Sequence, residues 1–320
     1  MSNSEFIHET PFPTSINLEP TNNCNLKCPL CPSGTGKLKY KKGVMSFESY
    51  KIIIDKIPTL NELLLFNWGE PFLNPYIFDM VKYAKENQIK TTIDSNFSFK
   101  RNDKFFENIV LSGLDKLILS IDGASQESYK KYRIGGDFEL VLSNIIKLVK
   151  VKERFNSLLP DIIWNFIINK YNEAEIIEAK KMAIDIGINF NTAKIGLSDD
   201  LPDLDFEECI EDRKRSWLPN NIKHIKDHYI GEHRYPLYKT KCIQLFKTTI
   251  INHNGKVFPC CWVTNEINSF GDILKESFYK IWNNDKYQHS RSLFNSSIST
   301  TNNIDTVCNY CNIFTKRRVS

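Results

Sequence analysis

With 320 residues, a net charge of +4 and nine cysteines, the chain can bury a large core but is too weakly basic to track nucleic acid. No run approaches the ~18 apolar residues of a membrane span, and the start, MSNSEFIHETPFP, has neither the basic nor the apolar region of a signal peptide. The expectation is a cytoplasmic protein with no nucleic-acid or membrane partner, whose cysteines serve as metal ligands or redox groups rather than as a disulfide framework. The basic runs at 37–42, 212–217 and 315–320 are short and read as solvated surface.

From residue 14 to about 197 short β-like runs alternate with amphipathic helices. SINLEP (15–20) is a strand running into a cysteine loop. Residues 46–57 form a helix capped by Ser46, with Phe47, Tyr50, Ile53, Ile54 and Ile57 on one stripe. A buried strand at 62–71 ends in a loop, and Asn74-Pro75 starts the next helix, with Asn as cap and Pro at the first helical position. Strand three is 90–96, and helix three is 103–113, closed by Gly113. Strand four is 115–123 and helix four 137–152. Strands five (161–169) and six (189–196) flank a helix ending on Gly187. Six such units imply a parallel sheet, either doubly wound and open or curved into a partial barrel. In both cases function sits at the C-terminal strand ends, where the cysteine loop, Gly69-Glu70, Asn96, Ser120 and Asp122 all fall. The rhythm stops near 198. A charged, proline-bearing stretch to 221 reads as a linker or lid with a possible short helix. A hairpin turning at Asn254-Gly255 and a helix at 277–294 follow.

The cysteines fall into two groups. Cys24, Cys28 and Cys31 are spaced C-x3-C-x2-C, with no fourth thiol nearby and His8 the one histidine before residue 224. Three thiolates can hold three irons of a [4Fe–4S] cube and leave the fourth iron open; structural zinc, which wants four closed ligands, is the rival. Cys242, Cys260, Cys261, Cys308 and Cys311 form the second group.

CNLKCPLC after a strand resembles the signature of radical S-adenosylmethionine (SAM) enzymes. NWGEP (67–71) resembles that family's GGEP motif, with Trp68 where the first glycine usually sits. LSIDGASQESYKKYRIGGDFELVLSNI (119–145) resembles the fourth-strand region of its SPASM/twitch branch. GKVFPCCW, GDILKESFYKIWNNDKYQ and CNYC resemble the C-terminal module of that branch. The resemblance implies an α/β fold, a partial (β/α)6 radical SAM barrel at 14–197 after an extension at 1–13. A linker or lid follows at 198–240, and a small twitch/SPASM-like auxiliary-cluster module at 241–320.

It also implies an enzyme in which a [4Fe–4S] cluster on Cys24, Cys28 and Cys31 chelates SAM. Reductive cleavage of SAM then yields a 5′-deoxyadenosyl radical that takes hydrogen from substrate, with a flavodoxin- or ferredoxin-type protein as electron donor. Gly69 and Glu70 would position the SAM amino group, and Ser120 and Asp122 would reach its ribose or carboxylate. Asn96 would line the pocket, Arg133 would pair with the SAM carboxylate, and Ile167 with residues 194–196 would flank the adenine. For Asn96, Ser120 and Asp122 the plain alternative is strand-end capping, and for Arg133 a surface ion pair. Cys242, Cys260, Cys308 and Cys311 resemble ligands of a second, auxiliary [4Fe–4S] cluster, and zinc also satisfies four cysteines. Cys261 points away from Cys260 if the segment is a strand; it is a packed thiol, an alternative ligand or a hydrogen donor to a substrate radical, with packing the default. Cys209 and His224, His228 and His233 read as lid or surface residues.

A fully ligated auxiliary cluster suits electron transfer, hence net two-electron oxidation; members of the family it resembles act on peptides, sugars and cyclitols, and the expected substrate is a small polar metabolite such as an amino sugar, cyclitol or nucleotide-linked sugar. Cys24 follows the start too closely for a leader-binding domain, which places peptide modification second. The same residues would also suit radical epimerisation or, without catalysis, a module that holds zinc or iron–sulfur.

Overall fold

The computed structural model describes residues 10–198, 203, 209–226, 242–295, 298 and 304–311. His8, His228 and His233 lie outside the described residues, as does most of 199–208.

Six parallel strands run in chain order across the sheet: β1 (Ser15–Leu18), β2 (Glu62–Leu64), β3 (Lys90–Ser95), β4 (Lys116–Ser120), β5 (Asp161–Ile168) and β6 (Asn189–Lys194). A doubly wound sheet reverses its strand order in the middle. This one runs β6-β5-β4-β3-β2-β1 without reversal, so the crossover helices collect on one face and the other becomes the inside of a partial (β/α)6 barrel. Those helices are α1 (Phe47–Asp55), α2 (Ile77–Glu86), α3 (Asp103–Leu111), α4 (Gln126–Tyr132), α5 (Phe138–Arg154) and α6 (Ile176–Ile186).

Side chains alternate across a strand, and β5 shows what each face meets. Ile162, Trp164, Phe166 and Ile168 are buried under helices, whereas Asp161, Ile163, Asn165 and Ile167 are only half-buried, on the inner face. Tyr50, Ile53, Met80, Phe106, Ile109, Val141 and Ile145 cover the outer face and are fully buried. Apolar burial at ~25 cal/mol per Å² makes this layer the main source of stability.

The second part of the chain is α7 (Ile210–Trp217), α8 (Gln244–Lys247), β7 (Ile250–Ile251), β8 (Lys256–Phe258), β9 (Gly271–Asp272), α9 (Phe278–Trp282) and α10 (Asp285–Ser292). The hairpin β7–β8 turns at Asn254-Gly255 as expected, with Gly255 at φ +81°. β7 pairs parallel with β1, so the C-terminal strands extend the barrel sheet to nine.

Four local expectations are corrected. The helix expected from Asn74-Pro75 begins only at Ile77. Asn74 spends its amide on the carbonyls of Pro20 and Met45 (2.8 and 3.0 Å), and a 3-10 turn at Pro71–Leu73 precedes it. The strand expected over 62–71 stops at Leu64. The helix expected over 277–294 breaks at Asn283-Asn284, because the Asn284 side chain accepts from the Tyr287 amide and caps a new helix, α10. Cys260 and Cys261 lie in a turn after β8, so strand alternation does not decide which way either points. No helix among the described residues is long and apolar enough to cross a membrane.

Candidate functional site

The loop after β1 carries Cys24, Cys28 and Cys31, all free thiols. It is compact: the Cys31 amide donates to the Cys28 carbonyl, and a Cβ on Gly34 would lie 2.5 Å from the Cys28 nitrogen, so only glycine fits there. Each sulfur meets hydrogen-bond donors. The Leu26 amide (3.4 Å) and Asn96 Nδ2 (3.8 Å) point at Cys24 Sγ, Arg133 Nη1 lies 3.9 Å from Cys28 Sγ, and the Ser33 and Gly34 amides serve Cys31. Behind the loop lie Leu26, Leu30, Ile195 and Leu197. Burial pushes the Cys24 thiol up to about 11 and Cys28 up to about 12. Thiols this reluctant to ionise by themselves become thiolates on binding metal, and the surrounding donors then stabilise sulfur charge.

Beside the cysteines is a cavity of about 310 Å³ at the C-terminal strand ends. Its wall includes Gly69, Glu70, Asn96, Ser120, Arg133, Ile167 and Gly196 together with the three cysteines. Gly69 has φ +100°, and a Cβ there would sit 2.4 Å from the Thr21 carbonyl, so the loop is closed against the cysteine segment. Trp68 also lines the cavity; its Nε1 is buried and meets no acceptor among the described residues. An orphaned buried donor in a cavity wall fits a ligand that brings oxygen acceptors, as SAM does with its carboxylate and ribose.

Glu70 is only 1 % exposed, and its carboxylate accepts from Phe72 N (3.2 Å), Ser95 Oγ (2.8 Å) and Asn96 N (2.8 Å). Burial pushes it up to about 7. The carboxylate is a clamp between the loop after β2 and the end of β3. Removing a buried acceptor from three donors costs roughly 2–4 kcal/mol, so Glu70→Ala is expected to lower the denaturation midpoint of the metal-free protein markedly and Glu70→Gln much less. Equal midpoints for the two variants in urea would remove the clamp.

Asp122 lies behind the wall. One oxygen accepts Arg133 Nε at 2.6 Å and the other the Ile167 amide at 2.8 Å. It therefore aims Arg133 at the cysteine loop and pins the end of β5, and the expected surface ion pair is a buried one. Arg133 stays cationic, because Asp122 and Cys28 beside it raise it. Ser120 Oγ donates to Asp94 Oδ1 at 2.8 Å. Of residues 194–196, Gly196 lines the cavity, Ile195 is buried behind the cysteine loop and Lys194 Nζ reaches the Ile225 carbonyl.

Two groups at the site escaped sequence reasoning. Asp94 lines the cavity, and burial pushes it up to about 6; an acidic residue inside a parallel strand, two before Asn96 on the same face, was the available signal. Glu19, fully buried, accepts from Tyr40 Oη (2.7 Å) and pairs with His253 Nδ1 (2.9 Å) on the β7–β8 turn. Nothing local marks that pair.

In the C-terminal part burial pushes the thiols up; Cys260 also feels Cys261, Cys308 and Cys242, Cys308 feels Cys242 and Cys311, and Cys242 feels Cys311. Amides of Gln244 and Leu245 serve Cys242, and the Ser290 and Thr306 hydroxyls serve Cys308. Among the described residues these thiols are neighbours pair by pair and do not form a ready-made metal-binding group. Cys261 is half-buried against the core and is not among the residues lining the cavity. Cys209, exposed at the start of α7, bonds Asp212, and His224 lies in a 3-10 turn.

Residues 18–160 match the family model of the radical SAM superfamily, and residues 242–312 match that of SPASM, an iron–sulfur cluster-binding domain. The chain is 24% identical over 306 residues to the AdoMet-dependent heme synthase of Methanosarcina barkeri (strain Fusaro / DSM 804), covering 87% of this chain and 84% of the relative. Its fold is similar to that of Streptococcus suis SuiB bound to S-adenosylmethionine, with TM-score 0.64 and 16% identity over 95% of this chain and 72% of SuiB. It is also similar to BtrN in complex with AdoMet and 2-DOIA, with TM-score 0.52 and 16% identity over 93% of this chain and 96% of BtrN. The SPASM model is that of an iron–sulfur cluster-binding domain, which favours iron–sulfur over zinc at the C-terminal cysteines. Both domains in order along one chain, over a sequentially wound parallel sheet, make this protein a radical SAM enzyme of the SPASM type, with a [4Fe–4S] cluster, SAM and auxiliary iron–sulfur binding as its cofactor set.

Proposed function

We propose that the enzyme oxidises a small polar metabolite by two electrons, with one auxiliary [4Fe–4S] cluster on Cys242, Cys260, Cys308 and Cys311 as electron acceptor. The observation that carries this is the polar inner wall below the cysteines. Asp94 stands two residues, about 7 Å, deeper on β3 than Asn96, whose amide touches Cys24. Ser120 bonds Asp94, Asn165 is its register neighbour on β5, and Asn191 on β6 donates to Asn165 at 2.9 Å. Asp94 and Ser120 line the cavity itself, with the exposed hydrogen bond between Asn165 and Asn191 beyond them on β5 and β6; that carboxylate and hydroxyl suit a ligand rich in hydroxyl or amine donors.

The cluster on Cys24, Cys28 and Cys31 and SAM, when bound, supply hydrogen-atom abstraction through reductive cleavage of SAM. The chain's residues do the rest. Arg133, fixed by Asp122, offers a planar cation to the SAM carboxylate; the strained loop at Gly69 brings backbone close to its amino group; Ile167 covers the adenine. Asp94 accepts a substrate hydroxyl or amine and, once ionised, can take the proton that leaves after abstraction.

Anaerobic turnover of a panel of amino sugars, cyclitols and nucleotide sugars, read by mass spectrometry, is expected to give a product lighter by two hydrogens. A product of unchanged mass would replace oxidation by epimerisation, and turnover confined to peptides would replace the substrate class. With the substrate in hand, KM is expected to rise about tenfold as pH falls through about 6, because the anionic form of Asp94 is the one present above that value. Asp94→Asn is expected to show the higher KM at every pH with SAM affinity unchanged; a wild-type pH profile retained in that variant would remove Asp94 from the substrate site.

A further inference from the structure

Arg291 on α10 is 2 % exposed. Its Nε donates to the Leu245 carbonyl (2.9 Å) and its Nη1 to the Trp282 carbonyl (2.7 Å), while Nη2 is buried with no hydrogen-bond partner among the described residues. The guanidinium stacks on Trp282 and Tyr287, 4.3 and 4.8 Å from the ring centroids. Among the described residues no carboxylate pairs with it, and burial lowers it to about 10, so it remains cationic at neutral pH. One arm of a buried cation is thus left without a hydrogen-bond partner among the described residues.

Tyr287 is the charge neighbour of Arg291, and the C-terminal cysteines lie one step further, behind the residues Arg291 touches. Leu245, whose carbonyl Arg291 holds, directs its own amide to Cys242. Ser290, the neighbour of Arg291, bonds Thr306 at 3.1 Å, and both hydroxyls serve Cys308. Tyr287, one turn earlier on α10, feels Arg291, Cys308 and Cys260 together. Four thiolates on a [4Fe–4S] core leave it net negative, and reduction adds one more negative charge. A fixed cation in a water-poor site therefore favours the reduced form.

We propose that Arg291 is the counter-charge of the auxiliary cluster and raises its reduction potential, making it an acceptor for the substrate's electron. The proposal rests on the assignment of Cys242, Cys260, Cys308 and Cys311 to one cluster. The step is a one-electron transfer: the deprotonated substrate radical loses an electron and becomes product, the oxidised cluster gains it, and no bond to the protein changes.

The test is a redox titration followed by electron paramagnetic resonance on the reconstituted full chain in which Cys24, Cys28 and Cys31 are alanine, so that one cluster reports. In Arg291→Gln the ratio of reduced to oxidised cluster, poised at the wild-type midpoint, is expected to fall tenfold or more (about 59 mV for one electron). In Arg291→Lys it is expected to stay within threefold. Iron content serves as the loading control. An unchanged midpoint in a loaded Arg291→Gln, or equal shifts in both variants, overturns the charge role. If Arg291→Gln fails to load, Arg291→Lys decides by itself, since a tenfold shift with the charge retained overturns it too. Absence of any second cluster before Arg291 is touched overturns the cluster assignment instead.

Discussion

Replacing Cys24, Cys28 and Cys31 together by alanine is expected to remove about four irons per chain and to abolish 5′-deoxyadenosine formation from SAM under dithionite. The effect is all-or-none because these three thiols lie in one loop, beside the cavity whose wall holds Arg133, Gly69 and Trp68, and nothing else in that wall is a soft ligand for iron. The fold should survive. The cysteines contribute little to the main apolar layer, which lies on the other face of the sheet, so the denaturation midpoint of the metal-free protein should move by less than about 1 kcal/mol equivalent. Iron analysis and chromatography of the nucleoside product check both halves. Persistent SAM cleavage in the triple variant would place the SAM-binding cluster elsewhere.

Cys308→Ala/Cys311→Ala is expected to divide the reaction. Cleavage of SAM should continue, because the donors around Cys24, Cys28 and Cys31 come from Leu26, Asn96, Arg133 and the loop itself, not from the C-terminal part. Release of oxidised product should fail, because the substrate's electron has no acceptor. Wild type should hold about eight irons, two cubes' worth, and the double variant about four. Four irons plus one zinc in wild type would make the C-terminal domain of this chain structural. Cys261→Ala belongs beside it: the thiol is packed against the core and is absent from the cavity wall, so turnover should be unchanged. Loss of product with continued SAM cleavage would instead make it a hydrogen donor.

The fold was largely legible because its signals are local. Helix stripes such as Phe47, Tyr50, Ile53 and Ile54, the cap Ser46 and the left-handed Gly187 each act within one or two turns of chain. Where the expected bounds moved, a distant partner had won. Asn74 ties the loop to Pro20, 54 positions away, through its amide nitrogen, while its oxygen accepts the Tyr76 amide at 2.8 Å, one residue short of the helix. The helix α4 left no trace in the pattern because seven residues are too few to show a period.

Chemistry followed the same division. Residue type and spacing alone carried the two cysteine groups, the Gly-Glu loop and the polar strand ends, since a thiol is a soft ligand wherever it folds and a C-x3-C-x2-C loop keeps three of them within reach. The use made of each carboxylate depended on partners that chain distance hides. Glu70 clamps Ser95, 25 residues on; Asp122 pins Ile167, 45 on; Glu19 holds His253, 234 on. Asp94 acquired its place only when β3 and β4 came side by side, and Arg291 became buried only when α10 packed against Leu245 and Trp282. Periodicity and motif are properties of neighbours in sequence. Burial, hydrogen-bond satisfaction and the field at a side chain are sums over neighbours in space, and those exist only once the sheet has assembled.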